Sequence, residues 1–155
     1  MHSKRDPVTH EIIGAAIEVH RELGPGILES AYEECLSFEL AQRGLSVKRQ
    51  AALPIRYKGH DLEFGFRPDL IVENQVIVEL KSVEKLMKVH DAQLLTYLRL
   101  AGMDRGLIVN FNSSPLIDGI RRLALTRSAV TAVSASQSTG TGRGIISPGS
   151  ESGPE

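Results

Sequence analysis

Two short apolar runs on either side of a polar turn constrain this chain more than any other feature. Residues 69–72 and 76–81 are apolar except for Asp69, Glu79 and Lys81, and residues 73–75 between them read Glu-Asn-Gln. Short apolar runs that flank such a turn predict two strands joined as a hairpin. Side chains two apart on a strand point to one face, so Glu79 and Lys81 share a face. The register predicts that Asp69 lies nearly opposite Glu79.

Two carboxylates side by side repel each other, and a half-buried pair is costly unless a cation neutralises it. Mg²⁺ typically binds one or two carboxylates together with substrate phosphate. A lysine on the same face can orient a water or stabilise charge that develops on phosphate. The segment therefore predicts a site for phosphodiester hydrolysis. The alternative interpretation is an exposed salt bridge at the end of a hairpin.

The other elements predict an α/β fold with a mixed sheet. Asp6-Pro7 is a helix-start signal, and a second helix carries an apolar stripe and ends at Gly44. Lys58-Gly59 predicts a hairpin turn between strands at 55–57 and 62–64. A third helix is predicted over 89–101, ending at Gly102, and strands over 106–111 and 120–125. The stripes predict these inward-facing side chains: Leu28, Tyr32, Cys35, Leu36 and Leu40 on the second helix, and Ala92, Leu95, Leu98 and Ala101 on the third.

The last 28 residues, Ser128 to Glu155, differ from the rest. They include seven Ser, five Gly and two Pro and carry almost no hydrophobic pattern. Such a segment buries too little apolar area to offset its ordering entropy. We therefore predict one domain over residues 1–127 and a disordered tail over 128–155.

Composition excludes several classes of protein. The chain has 155 residues, with 18 basic and 19 acidic side chains, so it does not bind nucleic acid through a high net positive charge. Its apolar runs are shorter than the roughly 18 residues that a membrane span needs. The N-terminus lacks the apolar core of a signal peptide, and Cys35, the single cysteine, forms no internal disulfide. We expect a cytoplasmic protein that does not bind membranes.

Further polar residues fall at positions where they could join the hairpin site. Glu29 lies in the first turn of the second helix, where the helix dipole alone would favour an acid. Gln93 and Tyr97 lie one turn apart on the third helix. A polar helix edge with the tyrosine packed on the sheet is an equally good interpretation of that pair.

Taken together, these segments resemble the GxxExxY proteins, small prokaryotic chains of the PD-(D/E)XK nuclease-like superfamily. The resemblance covers about residues 6–125, with the motifs in the family's order. The matching segments are Gly26-x-x-Glu29-x-x-Tyr32, Tyr57-Lys58-Gly59, Asp69-Leu-Ile-Val, Glu79-Leu80-Lys81, Gln93-Leu-Leu-Thr-Tyr97 and Asn110-Phe111.

The resemblance implies a restriction-endonuclease-like core, which is a central mixed β-sheet flanked by helices. It implies that Asp69, Glu79, the Leu80 carbonyl and Glu29 bind Mg²⁺ or Mn²⁺, and that Lys81 is the catalytic lysine. Four residues would then be catalytic: Glu29, Asp69, Glu79 and Lys81. Gln93 and Tyr97 resemble an element of RecB-type nucleases that supports the active site and the substrate strand, and Tyr32 is expected to support the site as well.

The function that follows is a metal-dependent nuclease acting on DNA or RNA. The alternative is a nuclease fold without turnover that binds nucleic acid or a protein partner. A domain of about 120 residues offers little surface for reading sequence, so sequence-specific cleavage would need a partner or a homodimer.

Overall fold

The computed structural model describes residues 6–62 and 65–126. The predicted tail over 128–155 lies outside the described residues. Three helices occur in this part of the chain: α1 (Pro7–Leu23), α2 (Glu29–Gln42) and α3 (Lys88–Ala101). The strands are β1 (Val47–Arg49), β2 (Arg56–Tyr57), β3 (His60–Asp61), β4 (Leu70–Val72), β5 (Val76–Lys81), β6 (Arg105–Asn110) and β7 (Ile120–Ala124), and a short 3₁₀ helix covers Leu116–Gly119.

Five strands form one sheet in the order β1-β4-β5-β6-β7. Strands β5 and β6 are parallel and are joined through α3, whereas the other neighbouring pairs are antiparallel. The predicted mixed sheet flanked by helices is therefore confirmed. Strands β2 and β3 form a separate hairpin around Lys58-Gly59, as predicted, but its strands are shorter than expected and residues 63–64 lie outside the described part.

The sheet is covered on both faces. One face packs against α1 and α2 through Val76, Val78 and Leu80 of β5. The other face packs against α3 through Ile77 and Ile108. Strand alternation then places Glu79 and Lys81 on the α3 face. Within the described residues, no helix is both long enough and apolar enough to cross a membrane.

Helix α1 begins as the sequence predicts. The Asp6 side chain accepts a hydrogen bond from the Val8 backbone N–H at 3.2 Å, and Pro7 is the first helical residue. A capping carboxylate and a proline in the first turn both favour a helix start, because the first N–H groups have no partner within the helix.

The predicted stripe of α2 is correct at Tyr32, Leu36 and Leu40, which are fully buried. Leu28 was wrongly included, because it precedes the helix and is 76% exposed. Cys35 is half-buried and packs against the core. A charged residue, Glu33, is also buried on this helix.

The predicted inward face of α3 is partly wrong. Leu98 is buried, but Ala92 is exposed and Leu94 is buried in its place. The reason lies on β6, where Gly106 carries no side chain. A Cβ at Gly106 would lie 3.0 Å from Leu94 Cδ2 and 3.2 Å from Leu98 Cδ1. Leu94 and Leu98 therefore occupy the space beside Gly106, and the face of α3 that carries them packs on the sheet.

Candidate active site

The β4–β5 hairpin brings Asp69 and Glu79 together. Leu70 pairs with Val78 in an antiparallel register, so Asp69 lies opposite Glu79, as the sequence predicts. The Leu80 backbone N–H donates to Asp69 Oδ2 at 2.7 Å, and the Asp69 N–H donates to Glu79 Oε1 at 3.2 Å. Each carboxylate is thus held by a backbone amide of the neighbouring strand.

The environment of Glu79 makes its ionised form unfavourable. Burial, together with the neighbouring Asp69 charge and a smaller effect of Glu29, raises the pKa of Glu79 from 4.5 to about 7, although the Asp69 N–H and Lys81 act to lower it. A carboxyl group with such a raised pKa is a common feature of functional sites. A bound cation would remove the repulsion between Asp69 and Glu79, so the pair favours cation binding.

Lys81 points to the same face of β5 as Glu79 and is half-buried. Among the residues that the structure describes, no carboxylate lies within salt-bridge distance of Lys81. It lines a cleft of about 210 Å³ between α3 and the sheet. The ammonium group is therefore available to a molecule that enters the cleft.

The cleft contains Gln93 and Tyr97 as well. Its lining comprises Phe66, Glu79, Lys81, His90, Gln93, Leu94, Tyr97 and Ile108. The Tyr97 ring stacks on Phe66 with centroids 3.7 Å apart and an interplanar angle of 2°. The structure therefore brings the predicted helix pair to the same cleft as Glu79 and Lys81.

Glu29 approaches the hairpin from α2. Its Oε1 accepts a hydrogen bond from the Ser82 backbone N–H at 2.9 Å, one residue beyond Lys81. The Glu29 charge acts on Glu79, since it raises the pKa of that group. The Glu29 charge is therefore felt at Glu79, and one of its oxygens is bound to the backbone after β5.

Tyr32 has a structural role and does not line the cleft. It is fully buried; its hydroxyl donates to the Gly24 carbonyl and accepts from the Ile27 N–H at 3.3 Å. These bonds hold the loop that leads into α2, and in that loop Gly26 has a φ of +91°, which favours glycine. Tyr32 therefore supports the position of Glu29.

Asn110 and Phe111 connect this loop to β5. The Phe111 ring stacks on Tyr32 with centroids 4.2 Å apart, and the Phe111 N–H donates to the Lys81 carbonyl at 2.9 Å. The buried Asn110 side chain donates to the Val83 carbonyl at 2.9 Å and accepts from the Val83 N–H at 3.1 Å. The chain at Lys81 and just after it is thereby held to the end of β6.

Gln50 is a site residue that the sequence did not reveal. Its Nε2 donates to Asp69 Oδ1 at 3.0 Å and to Glu33 Oε1 at 2.8 Å, and Arg49 is paired with Glu33 at 3.4 Å. Gln50 also has a φ of +49°, an uncommon conformation for a residue with a side chain that is often found at functional sites. No periodicity or spacing marks a lone glutamine after a strand, so only the fold identifies it.

Replacing Gln50 by alanine should lower the free energy of unfolding by about 1–3 kcal/mol, because the buried Glu33 carboxylate would lose its best partner. Urea unfolding would measure the change. Lys58→Ala is a matched control, since Lys58 has a φ of +48° and is exposed, and we expect a change within about 0.5 kcal/mol. Equal losses in the two variants would contradict the role of Gln50.

The donor set fits a hard divalent cation in part. Carboxylate and carbonyl oxygens of Asp69, Glu79 and Leu80 are the ligand type that Mg²⁺ and Mn²⁺ prefer. However, in the described part of the chain no three His, Cys, Asp or Glu side chains are grouped so as to hold a metal ion. Glu29 is therefore not arranged with Asp69 and Glu79 as a ready third ligand. The pair fits a cation that takes its remaining ligands from water or substrate.

Most of this chain matches a family of known proteins. A family model described as the PD-(D/E)XK nuclease superfamily matches residues 6–123. One solved structure that matches is that of an alkaline exonuclease (LHK-Exo) from Laribacter hongkongensis, with a TM-score of 0.42 and 12% identity over 81% of this chain and 84% of that chain. The comparison with curated proteins finds no match. Because the family model covers most of the chain, including Glu29, Asp69, Glu79 and Lys81, the protein belongs to the PD-(D/E)XK nuclease superfamily.

Proposed function

We propose that this protein is a metal-dependent nuclease of the GxxExxY type, which hydrolyses phosphodiester bonds of DNA or RNA. The observation that carries the proposal is the juxtaposition of Asp69 with Glu79 and of Lys81 on the same face, at a cleft. Two half-buried carboxylates that repel each other disfavour folding, and the Lys81 charge offsets this repulsion only in part. The same three groups are suited to hydrolysing a phosphodiester.

Each residue has a role in this proposal. Asp69, Glu79 and the Leu80 carbonyl would bind Mg²⁺ or Mn²⁺, with Glu29 adding negative charge beside them. A bound cation would polarise the phosphate and lower the pKa of a coordinated water. Lys81 would orient the attacking water and stabilise the charge that develops on phosphate oxygens. Gln93 and Tyr97 would contact the substrate strand, and Tyr32 would support Glu29 from the core.

One observation favours the alternative of a nuclease fold that binds without turnover. Both oxygens of Asp69 already accept hydrogen bonds, from Gln50 and from Leu80. Metal binding would then have to compete with these bonds or share the oxygens with them. A direct test of metal binding therefore comes first, and it needs no knowledge of the substrate.

We expect Mn²⁺ to bind to the full-length protein in a calorimetric titration and to lose this binding in an Asp69→Ala/Glu79→Ala double variant. Removing both carboxylates leaves no charged ligand pair at the hairpin. The matched control is Glu22→Ala/Glu39→Ala, which removes two carboxylates from the groove between α1 and α2 and should leave Mn²⁺ binding unchanged.

Substrate phosphate can supply metal ligands, so the titration should be repeated with a short oligonucleotide present. Binding that requires Asp69 and Glu79 would justify a cleavage screen over single- and double-stranded DNA and RNA. An absence of Mn²⁺ binding under both conditions would contradict the nuclease proposal. It would favour the alternative of a nuclease fold that binds nucleic acid or a protein partner without turnover.

A further inference from the structure

The cleft at Lys81 has a neighbouring cavity at the start of α3. A second, shallower cavity of about 740 Å³ is lined by Val83, Glu84, Lys85, Met87 and His90, and His90 also lines the first cleft. The two cavities adjoin at His90, and together they extend from the Phe66–Tyr97 stack, past Glu79 and Lys81, to the segment before α3. We call them together the α3 groove and define it by the residues that line them.

His90 lies where the two parts of the α3 groove meet. Its Nδ1 accepts a hydrogen bond from the Met87 backbone N–H at 3.0 Å. In the neutral imidazole this bond leaves the proton on Nε2, because one ring nitrogen accepts while the other donates. His90 thus offers an N–H donor to the groove, and such donors commonly contact phosphate oxygens.

The far part of the α3 groove combines an apolar side chain with a basic one. Met87 is 62% exposed, although burial of its side chain would stabilise the fold. Lys85 lies beside it, and Glu84 is the acidic residue of the same lining. An exposed apolar group next to a cation suits a ligand that has both apolar faces and negative charge.

Single-stranded nucleic acid exposes both apolar base faces and negatively charged phosphates, whereas a duplex exposes mainly its phosphates. In a duplex the bases are stacked and paired, and the phosphates face outward. In a single strand the bases are free to pack on aromatic and apolar side chains, while basic groups follow the backbone. Along α3, His90 and Tyr97 are seven residues apart, which corresponds to about 10 Å. This length spans a short stretch of one strand.

We propose that the α3 groove binds single-stranded nucleic acid along α3, with His90 and Lys85 contacting phosphates and Met87 packing against a base. The proposal rests on the proposed nuclease function for the reaction at Lys81, and it adds the substrate class. It concerns binding next to the reacting phosphate, so it can be tested without hydrolysis.

Full-length Lys81→Ala protein with Mn²⁺ should bind a fluorescein-labelled oligothymidylate of about 12 nucleotides about tenfold more tightly than a duplex of equal length. Fluorescence anisotropy would measure both affinities, and a gel would verify that the oligonucleotide stays intact. Equal affinity, or tighter binding to the duplex, would overturn the proposal.

Variants of the α3 groove test the contacts individually. His90→Asn retains an oxygen that can accept from the Met87 N–H but removes the Nε2 donor. We expect His90→Asn and Met87→Ala each to weaken single-strand binding about five- to tenfold. Lys85→Ala should reduce the slope of log affinity against log salt by about 0.7, as expected for one lost phosphate contact to a single strand.

The control variants remove an apolar and a basic side chain that lie on the other face of the sheet, away from the α3 groove. Phe38 on α2 is 62% exposed, like Met87, and Arg122 on β7 is an exposed cation whose neighbours Arg121 and Leu123 face α3. Phe38→Ala and Arg122→Ala should leave binding unchanged. If these variants weaken binding as much as the groove variants do, the proposal is wrong.

The outcomes separate this inference from the nuclease proposal. A protein that binds Mn²⁺ through Asp69 and Glu79 and cleaves only duplexes keeps the nuclease function and overturns the single-strand groove. A protein that binds single strands through His90, Lys85 and Met87 but cleaves nothing supports the groove and contradicts the hydrolytic function.

Discussion

Lys81→Ala is expected to lower the rate of phosphodiester cleavage by about 100- to 1,000-fold, the loss typical when one group that stabilises charge in the transition state is removed. Lys81 lies in the cleft on the same face as Glu79, but an ammonium group does not ligate a metal ion. Affinity for Mn²⁺ should therefore stay within a few-fold of that of the wild type. Cleavage kinetics and calorimetry on the same preparations would measure the two quantities.

The control for this experiment is Arg122→Ala, which removes an exposed cation from the face of the sheet opposite α3. Its cleavage rate should match that of the wild type. Undiminished cleavage by Lys81→Ala would remove Lys81 from the mechanism. A parallel loss of Mn²⁺ affinity would indicate that the substitution disturbs the carboxylate pair, and would likewise argue against a purely catalytic role.

Glu79→Gln is expected to stabilise the metal-free protein at pH 8 by about 2 kcal/mol. Burial beside Asp69 raises the pKa of Glu79 from 4.5 to about 7. Between pH 4.5 and about pH 7, the two pKa values, the folded protein holds the proton more tightly than the unfolded chain does. The free energy of unfolding therefore falls as pH rises through this range. A tenfold change in proton affinity corresponds to about 1.4 kcal/mol, and residual solvent contact reduces the full amount.

Glutamine imitates the protonated glutamate and can still accept the bond from the Asp69 N–H. The difference between Glu79→Gln and the wild type should therefore be only about a quarter of its full size at pH 5, just above the unfolded-chain pKa, and reach its full size above pH 7. Urea unfolding at pH 5 and pH 8 would measure it. Glu22→Gln, an exposed glutamate on α1, should change stability by less than about 0.5 kcal/mol at either pH.

Added Mn²⁺ gives this prediction a second readout. A cation bound at Asp69 and Glu79 stabilises the folded wild type by mass action, whereas the glutamine variant binds it more weakly. The advantage of Glu79→Gln at pH 8 should then shrink or reverse with Mn²⁺. A stabilisation that is the same at pH 5 and pH 8 would show that the repulsion in the Asp69–Glu79 pair is not its cause.

Local signals in the sequence predicted several elements correctly because those elements are built from contacts between near neighbours. The start of α1 follows from Asp6-Pro7, and the ends of β5 follow from one apolar run beside a turn. The error at Leu28 arises because α2 begins one residue later, at Glu29, whereas the error at Ala92 has a tertiary cause. Which face of a helix is buried depends on what it packs against, and for α3 the decisive partner is Gly106, distant in sequence.

The sequence by itself determined the pairing of Asp69 with Glu79 and the common face of Glu79 and Lys81. Turn length and the alternation of side chains along a strand suffice for both, and both are local. Only the tertiary structure decided that Gln50 joins Glu33 to Asp69 and that burial raises the pKa of Glu79. Hydrogen-bond partners and desolvation depend on elements far apart in the chain, and these meet only when α2, α3 and the sheet pack together.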